Sequence, residues 1–382
     1  MWKAPSILTA IVLVLVALGI VMLASSSSVK AGDQFNDPEH YLKRQVAWLV
    51  IAVVAILLSA FVVDYHWFRK WPIALLLLVF AVVLLCLVFV PGVGCRVGGA
   101  SRWIRIGAFR VGQPSEIAKF AAIVTLACWM SHVGYRAARL KEGLILPLIP
   151  LGLIAGLIFI EPDYGTTILV AAVGMAVMFV GGTRFAHLLV TGTLGMACFL
   201  LAIMQNPERV RRFMAFLNPA SFPDEAYQLS QSVNAFVMGG GWGVGLGRSL
   251  QKHSYLPEAH TDFILAIIGE ELGVAATVTV VLLFTGFLIC GVIISMRAKD
   301  MFGRLLGFGI TAMISLQAAI NIGVVTGCLP TKGLPLPFIS SGGSSLVVSM
   351  FCVGVLLNIA RHSSGTVADK HTKTIKDGLH SL

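Results

Sequence analysis

The chain has 382 residues, of which 57% are hydrophobic and 12% are charged, and its formal net charge is +10. Soluble domains carry about 25% charged residues, so the composition excludes a water-exposed globular protein. A collagen-like chain is excluded because glycine has no period, and a disordered chain is excluded because the hydrophobic fraction is too high. A small disulfide-stapled protein is excluded because the seven cysteines are spread thinly. The class that remains is a polytopic membrane protein.

Long apolar runs recur along the chain, and a helix needs about 20 mostly apolar residues to cross a bilayer. The first run lacks a small-residue cleavage pattern, so we predict a retained helix rather than a removed signal peptide. Continuous runs favour helices over alternating barrel strands, which predicts an all-α protein with about ten transmembrane helices. The predicted spans are 7–25, 45–63, 71–90, 114–132, 142–160, 164–182, 185–204, 263–295, 304–328 and 338–361.

The distribution of Lys and Arg predicts the orientation of the spans. With the first residue inside, the inner segments hold fourteen of these residues, against eight outside when the long connection 205–262 is left out. Such long connections carry little weight in the positive-inside rule. We therefore predict that both termini are cytoplasmic and that 205–262 is an extracytoplasmic loop between spans seven and eight. A transmembrane domain over 1–362 and a flexible cytoplasmic tail over 363–382 complete the predicted organisation.

Four arginines lie in the outer connection between spans three and four, against the topological bias: Arg96, Arg102, Arg105 and Arg110. An anionic ligand on the outer face would explain them, and snorkelling to lipid headgroups is the alternative. Nucleic acid is a poor partner, because the chain has no contiguous basic stripe with interleaved aromatic residues. The sequence also contains no CxxC pair and no metal-type Cys/His spacing, so the cysteines are assigned to packing.

The connection 205–262 is rich in polar, aromatic and glycine residues, and loops of this length in compact proteins are usually functional. Its glycine stretch, GGGWGVGLG over Gly239–Gly247, matches no phosphate-binding motif and follows no predicted strand. Two interpretations of this stretch remain open, a close approach of two backbone segments and a re-entrant loop.

Ionisable residues in or beside the apolar runs are costly and therefore candidates for function. They form four groups: Asp262 with Glu258 and His260, Glu116 with Lys119, Glu161 with Asp163, and Glu270 with Glu271. Structural alternatives exist, because Asp163 and Asp262 suit helix N-caps and Glu116 with Lys119 suits a buried pair on one helical face. Span eight is longer than the hydrocarbon is thick, so its first turns could project outward and leave the Glu270 pair at the interface.

Two segments carry a resemblance to known proteins: LPEAHTDFILAIIGEEL over Leu256–Leu272 and PTKGLPLPFISSGGSS over Pro330–Ser345. Supporting pieces are Arg102-Trp103 and Gln113–Lys119. On these residues the chain resembles the SEDS family (shape, elongation, division and sporulation) over nearly its full length. The residues of both segments are more similar to the division branch of that family than to its elongation branch.

The resemblance implies a peptidoglycan glycosyltransferase that polymerises lipid II on the outer face of the bacterial cytoplasmic membrane, at the division septum. We predict Asp262 as the general base, because one carboxylate can take the proton of the attacking sugar hydroxyl. The lipid pyrophosphate leaving group requires cations rather than a second acid. The predicted substrate-binding residues are Arg102, Trp103, Glu116, Lys119, Asp163, Arg209, Glu258, His260, Thr261, Lys332 and Ser344.

The resemblance also implies partners: a class B penicillin-binding protein transpeptidase, other divisome membrane proteins and membrane lipids, besides lipid II itself. A divalent cation such as Mg²⁺ or Mn²⁺ would assist the leaving group, although the sequence shows no dedicated metal site. A lipid II flippase or transporter and a non-catalytic divisome scaffold are the alternatives from other classes. Transporters place polar groups near the membrane midplane in paired repeats, and we find no repeat in this sequence.

Overall fold

The computed structural model describes residues 3–97, 100–106, 109–252 and 256–379. Within them, the backbone alone is described at 29–30, 33–34, 96–97, 100–101, 106, 109–111 and 364–379. Twelve α-helices dominate the described residues. They are α1 (Lys3–Phe35), α2 (His40–Leu57), α3 (Trp71–Leu87), α4 (Pro114–Val133), α5 (Leu146–Ile160), α6 (Tyr164–Val180), α7 (Phe185–Met204), α8 (Pro207–Leu217), α9 (Pro223–Gly239), α10 (Ile264–Met296), α11 (Met301–Val325) and α12 (Gly343–Leu379).

Each predicted span coincides with one of these helices. In the described part of the chain, eight helices are long and apolar enough to cross a membrane. The other two apolar helices, α3 and α6, have 17 residues each and are shorter. A multi-pass helical membrane protein is therefore confirmed, and the count of ten spans stays a prediction.

The centre of the bundle is α4, which packs against α3, α5, α6, α11 and α12. Apart from Glu116 and Lys119, its sequence is largely apolar on every face, as expected for a helix surrounded by other helices. Small buried residues such as Ala118, Ala121 and Ala122 let the neighbouring backbones approach closely. By contrast, Leu188 is the only buried residue of α7. That helix therefore lies at the periphery, where an apolar surface suits contact with lipid.

A small antiparallel sheet interrupts the helical chain between α3 and α4 and was not expected from the sequence. Its strands are β1 (Gly94–Val97), β2 (Ala100–Ile106) and β3 (Phe109–Gly112), in the order β1-β2-β3. Cys95 pairs with Trp103 across the first two strands. This segment contains the four outer arginines, of which Arg96 and Arg110 lie outside the described side chains. The strands are short and carry no long alternating pattern, so hydrophobic periodicity did not reveal them.

The connection 205–262 also contains regular structure that the sequence analysis treated as loop. Its helices α8 and α9 begin with Pro207 and Pro223, and proline suits the first position of a helix because that position needs no N–H donor. Both helices are too polar to qualify as spans. Helix α9 packs against α10 and α11, and α8 packs against α7 and α9, so the connection forms a cap on one end of the bundle.

The glycine stretch lies directly against a break in α10, which resolves the two open interpretations in favour of close backbone approach. The break is at Gly273, whose φ of 81° and ψ of 177° are not helical. Val244 N donates to Glu270 O at 2.9 Å, and Val274 N donates to Gly240 O at 2.9 Å. A Cβ atom at Gly243 or Gly273 would collide with the opposing backbone, so glycine is required on both sides.

Glu270 and Glu271 are fully buried beside this break rather than placed at the membrane interface. Glu270 accepts from Leu250 N at 2.8 Å and from the Ser249 hydroxyl. Lys252 Nζ lies 3.3 Å from Glu271 Oε1, and Ser25 Oγ of α1 donates to the same carboxylate at 2.7 Å. These partners satisfy the buried charge. The fourth ionisable group therefore joins α1, α10 and the glycine stretch.

We expect Gly273→Ala to destabilise the protein by about 1–3 kcal/mol or more, because alanine at positive φ is strained and its methyl group meets the backbone of the glycine stretch. The thermal midpoint of the purified protein in detergent measures the effect. Gly152→Ala in α5 is the matched control, since a Cβ atom there meets nothing within 4 Å and alanine favours helix. Equal midpoints for the two variants would contradict the required close approach.

Candidate active site

Asp262 lies in the turn immediately before α10 and faces a cavity of about 430 Å³. The cavity is enclosed by the connection 205–262, the start of α10 and the segment Pro330–Ser345. Its charged lining residues are Arg212, Asp224, Glu225, Asp262 and Lys332. The two segments that carry the family resemblance therefore meet at one site, which carboxylates and cations line together.

The environment of Asp262 makes its carboxylate unusually basic. Desolvation, reinforced by the negative charges of Glu258 and Asp163, raises the pKa of Asp262 to about 7. The Arg102 guanidinium opposes this shift. Phe263, the N-cap residue of α10, makes no side-chain cap bond, and the Asp262 backbone carbonyl accepts from Asn321 Nδ2 at 2.8 Å. The cap interpretation for Asp262 is therefore wrong, and its side chain is left to face the cavity.

A second charged group surrounds the beginning of α6. Asp163 accepts from Thr166 N at 3.3 Å and caps this helix, so the N-cap interpretation is confirmed for this residue. The same carboxylate accepts from Gln113 Nε2 at 3.1 Å. Arg102 donates to the backbone carbonyls of Glu161, at 3.4 Å, and Pro162. The sheet residue Arg102 is thereby held close enough to act on the Asp262 charge.

Glu161 is fully buried, and neither of its carboxylate oxygens has a hydrogen-bond partner among the described residues. Desolvation, together with the neighbouring Asp163 charge, raises the pKa of Glu161 to about 8. Arg102 opposes the shift. The side chain is consequently protonated at neutral pH and adds no negative charge beside Asp262.

Two cations from the connecting segments rest on aromatic rings of α6 and α7. The Arg209 guanidinium lies 4.0 Å from the centre of the Tyr164 ring. Lys332 Nζ lies 5.3 Å from the centre of the Phe199 ring, and desolvation lowers the pKa of Lys332 despite the Asp163 charge. Such contacts hold a cation near a surface without neutralising it. Of the two residues, Lys332 lines the cavity and Arg209 does not.

Glu116 and Lys119 form a buried ion pair, with Lys119 Nζ 3.0 Å from Glu116 Oε1. The ammonium also donates to Gln317 Oε1 at 2.7 Å, and Gln317 Nε2 donates to Pro335 O at 2.9 Å. Neither charged residue lines the cavity that contains Asp262. Their contacts connect α4 through α11 to the Pro330–Ser345 segment. We therefore interpret Glu116 and Lys119 as residues that position this segment.

The remaining predicted site residues divide into two groups. His260 and Thr261 join the two motif segments, because the His260 carbonyl accepts from Ser341 N at 3.1 Å and the Thr261 carbonyl accepts from Ser340 Oγ at 2.6 Å. Glu258 accepts from Thr261 Oγ1 at 2.7 Å in the same turn. These three residues flank Asp262 in sequence but are not among the residues that line its cavity.

Trp103 and Ser344 lie away from the cavity as well. Trp103 belongs to β2, and Ser344 Oγ accepts from Gln113 N at 3.3 Å. The structure therefore brings Asp262 and Lys332 directly to the cavity, while Arg102 and Asp163 act on Asp262 through charge. Substrate contacts by the other predicted residues stay predictions.

Two functional neighbours that the sequence analysis missed are the amides Gln317 and Asn321 of α11. Asn321 Nδ2 donates both to Asp262 O at 2.8 Å and to Leu334 O at 2.7 Å. The residues are four apart, so they lie on one face of a helix that is otherwise mostly apolar. The sequence did contain a signal for these two residues, because they are neutral polar side chains four positions apart inside an apolar run.

The residues around Asp262 do not form a metal cluster of the usual kind. In the described part of the chain, the one group of three or more His, Cys, Asp or Glu residues with metal-like spacing is Asp64, His66 and His362. That group lies beside Asp300, in the connection between α10 and α11.

Comparison with known families decides the relationship of the chain. The family described as "Cell cycle protein" (FTSW_RODA_SPOVE) matches residues 5–365. This chain belongs to the FtsW/RodA/SpoVE family. The matched range includes Asp262 and both motif segments, so the resemblance inferred from the sequence is confirmed.

Named members of the FtsW/RodA/SpoVE family match across most of the chain. The "Probable peptidoglycan glycosyltransferase FtsW" of Trichlorobacter lovleyi is 41% identical over 355 residues, which cover 93% of this chain and 92% of the relative. The "Stage V sporulation protein E" of Bacillus subtilis is 40% identical over 359 residues, which cover 94% of this chain and 97% of the relative. Relatives named for division and for sporulation are thus nearly equally identical to this chain in sequence.

Solved structures of the family confirm the helical fold. A chain of the structure described as "Structural coordination of polymerization and crosslinking by a peptidoglycan synthase complex" aligns with a TM-score of 0.77 and 28% identity, over 94% of this chain and 98% of that chain. The rod shape determining protein RodA of Thermus thermophilus aligns with a TM-score of 0.69 and 26% identity, over 95% and 97%. Most of the chain therefore has the fold of these solved structures.

Proposed function

We propose that this chain is a peptidoglycan glycosyltransferase that polymerises lipid II, with Asp262 as the general base. The observation that carries the proposal is the cavity itself, which a carboxylate of raised basicity lines together with the cations Lys332 and Arg212. A proton acceptor beside cations suits transfer of a sugar from a pyrophosphate. The 41% identity to a relative named as a probable peptidoglycan glycosyltransferase supports the same substrate class.

The reaction joins the hydroxyl of an acceptor sugar to the anomeric carbon of the donor. A new C–O glycosidic bond forms as the bond between the anomeric carbon and the lipid pyrophosphate breaks, and the electron pair of that bond leaves with the pyrophosphate. The hydroxyl proton passes to the Asp262 carboxylate and from there to water. A carboxylate with its pKa near the working pH accepts a proton most efficiently in such a step.

The cations stabilise the charge that develops on the leaving pyrophosphate. Lys332 and Arg212 line the cavity and reach it directly. Arg209 lies over the Tyr164 ring, just beyond the lining. Guanidinium groups bind phosphate oxygens in a bidentate fork, whereas an ammonium acts as a point charge. No second carboxylic acid is needed, because the pyrophosphate leaves without protonation.

The proposal includes a placement in the cell. The chain has ten spans with both termini in the cytoplasm, and the cavity opens at the extracytoplasmic face of the cytoplasmic membrane, where lipid II is polymerised at the division septum. A class B penicillin-binding protein cross-links the product strand as its partner. The similarity to a chain of a peptidoglycan synthase complex supports a two-protein synthase.

Reconstitution with fluorescent lipid II tests this function against its two rivals. The purified chain is placed in proteoliposomes with and without a class B penicillin-binding protein, and polymer formation and leaflet transfer are measured separately. Glycan polymer is the expected product. Transfer without polymer would identify a flippase, and the absence of both with the partner present would identify a scaffold.

We expect the rate of polymerisation to fall about tenfold per pH unit below pH 7 and to level off above about pH 8. The reason is that only the ionised form of Asp262 accepts a proton, and its pKa is raised to about 7. Initial rates at subsaturating lipid II, measured between about pH 5.5 and pH 9, give the profile. A flat profile across this range would contradict a base of this pKa.

A further inference from the structure

A second cluster of ionisable residues lies at the end of the bundle opposite Asp262. Asp64 and His66 belong to the short turn between α2 and α3, His362 belongs to α12, and Asp300 caps the start of α11. The 33 residues of α10 separate this cluster from the cavity. The proposed sugar transfer uses none of these residues.

The hydrogen bonds around the two imidazoles leave one ring nitrogen of each facing a carboxylate. His66 Nδ1 lies 2.7 Å from Asp64 Oδ1, and His362 Nδ1 lies 3.0 Å from the backbone carbonyl of Asn358. The Asn358 carbonyl can only accept, so in the neutral ring Nδ1 of His362 carries the proton and Nε2 carries the lone pair. That Nε2 atom lies 3.9 Å from Asp64 Oδ1, and Nε2 of His66 lies 4.0 Å from Asp300 Oδ1.

His66 Nδ1 and His362 Nε2 therefore both lie beside Asp64 Oδ1. The distance of 3.9 Å from His362 Nε2 is too long for a hydrogen bond but close to the separation of two ligands on one metal ion. Ligand atoms of Asp64, His66 and His362 all lie within 4.8 Å of one another. The two imidazole rings are nearly perpendicular, with centres 5.6 Å apart, which leaves room for both to reach one ion.

We propose that Asp64 Oδ1, His66 Nδ1 and His362 Nε2 bind a divalent transition-metal ion of the zinc type, with the ring proton of His66 on Nε2. Two imidazole nitrogens with a carboxylate oxygen form a donor set that zinc accepts, and one position is left for water. Metal-binding histidines direct their other ring N–H to a carboxylate or a carbonyl, and here Asp300 Oδ1 lies 4.0 Å from His66 Nε2 and the Asn358 carbonyl lies 3.0 Å from His362 Nδ1. Tyr65 OH donates to Asp300 Oδ1 at 2.6 Å and orients that carboxylate in the same way.

The ion would join two separate parts of the bundle. It would tie the turn after α2 to α12, where the Tyr65 and His362 rings also contact each other and Asn358 Oδ1 accepts from Tyr65 N. The three side chains are partly exposed, so the ion enters from solvent. The role is structural and independent of the sugar transfer proposed above.

Zinc titration of the full-length protein, with any affinity tag removed and the metal stripped by a chelator, tests this site. We expect about one Zn²⁺ per chain by elemental analysis after dialysis, and a rise in the thermal midpoint with Zn²⁺ that Mg²⁺ does not produce. His66→Gln and His362→Gln should each weaken zinc binding at least about tenfold. Binding is measured by calorimetry in the same detergent.

His187→Gln in α7 is the matched control, since this histidine lies outside the cluster, and its zinc affinity should equal that of the unmodified chain. Unchanged affinity in the His66 and His362 variants would overturn the site. An unmodified chain that holds no zinc and shows no zinc-dependent midpoint would overturn it without reference to any variant. In that case the cluster consists of histidine–carboxylate pairs only.

Discussion

Asp262→Asn is expected to lower the rate of glycan polymerisation by about 10²–10⁴-fold, the usual contribution of a general base. The amide has the shape of the carboxylate but cannot accept the hydroxyl proton. Folding should survive, because Asn321 bonds the backbone carbonyl of residue 262 rather than its side chain. The thermal midpoint should stay level or rise, since a neutral amide removes the desolvated charge.

Polymer length and yield from lipid II in proteoliposomes measure the first effect, and thermal unfolding in detergent measures the second. Asp37→Asn is the matched control, because Asp37 forms an exposed ion pair with Lys43 and neither residue lines the cavity. That substitution should leave the rate unchanged. Full polymerisation by a well-folded Asp262→Asn protein would remove Asp262 from the mechanism.

The second large effect is expected from Lys119→Met, which leaves the Glu116 carboxylate buried without its cation. Breaking a buried pair on one side costs about 3–5 kcal/mol of unfolding free energy. The side chain of Lys119 is 2% exposed, so water cannot replace the lost partner. Gln317 also loses its donor, which loosens the bond from Gln317 to Pro335 and so the wall of the cavity.

The double variant Glu116→Gln with Lys119→Met separates the structural role of the pair from substrate binding. Removing both charges should restore most of the thermal midpoint, because no unpaired charge remains buried. Exposed Lys141, replaced by alanine, provides a control that should match the unmodified protein. A restored midpoint with restored polymerisation supports positioning residues, whereas a restored midpoint without polymerisation assigns Lys119 to substrate. An unchanged midpoint for Lys119→Met alone would contradict the buried pair.

The fold class followed from local properties of the sequence. Runs of about 20 apolar residues are enough to predict helices, because a lipid environment leaves the backbone few other ways to satisfy its hydrogen bonds. The sheet around Trp103 and the helices α8 and α9 escaped prediction. Their strands and turns are short, and their polar residues resemble those of a loop. Prolines at the starts of α8 and α9 were the usable signals.

For the site, the sequence proposed Asp262 and Lys332 from the segments that carry the family resemblance, and both residues line one cavity, while their roles stay predictions. It also left Asp163 open between a cap and a site residue, and the structure shows a cap whose charge still acts on Asp262. Periodicity cannot choose between such roles, since an N-cap and a site residue both occur at a helix start.

The sequence by itself determined the class of protein, the helical runs and the family, since each depends on composition or on contiguous residues. Only the tertiary structure decided that Glu116 and Lys119 lie behind the cavity wall, that the glycine stretch packs on the break at Gly273, and that Asp64 meets His362. The bond from Lys119 to Gln317 joins residues 198 positions apart. Contacts of this kind depend on how helices pack, and packing leaves no periodic trace in either partner.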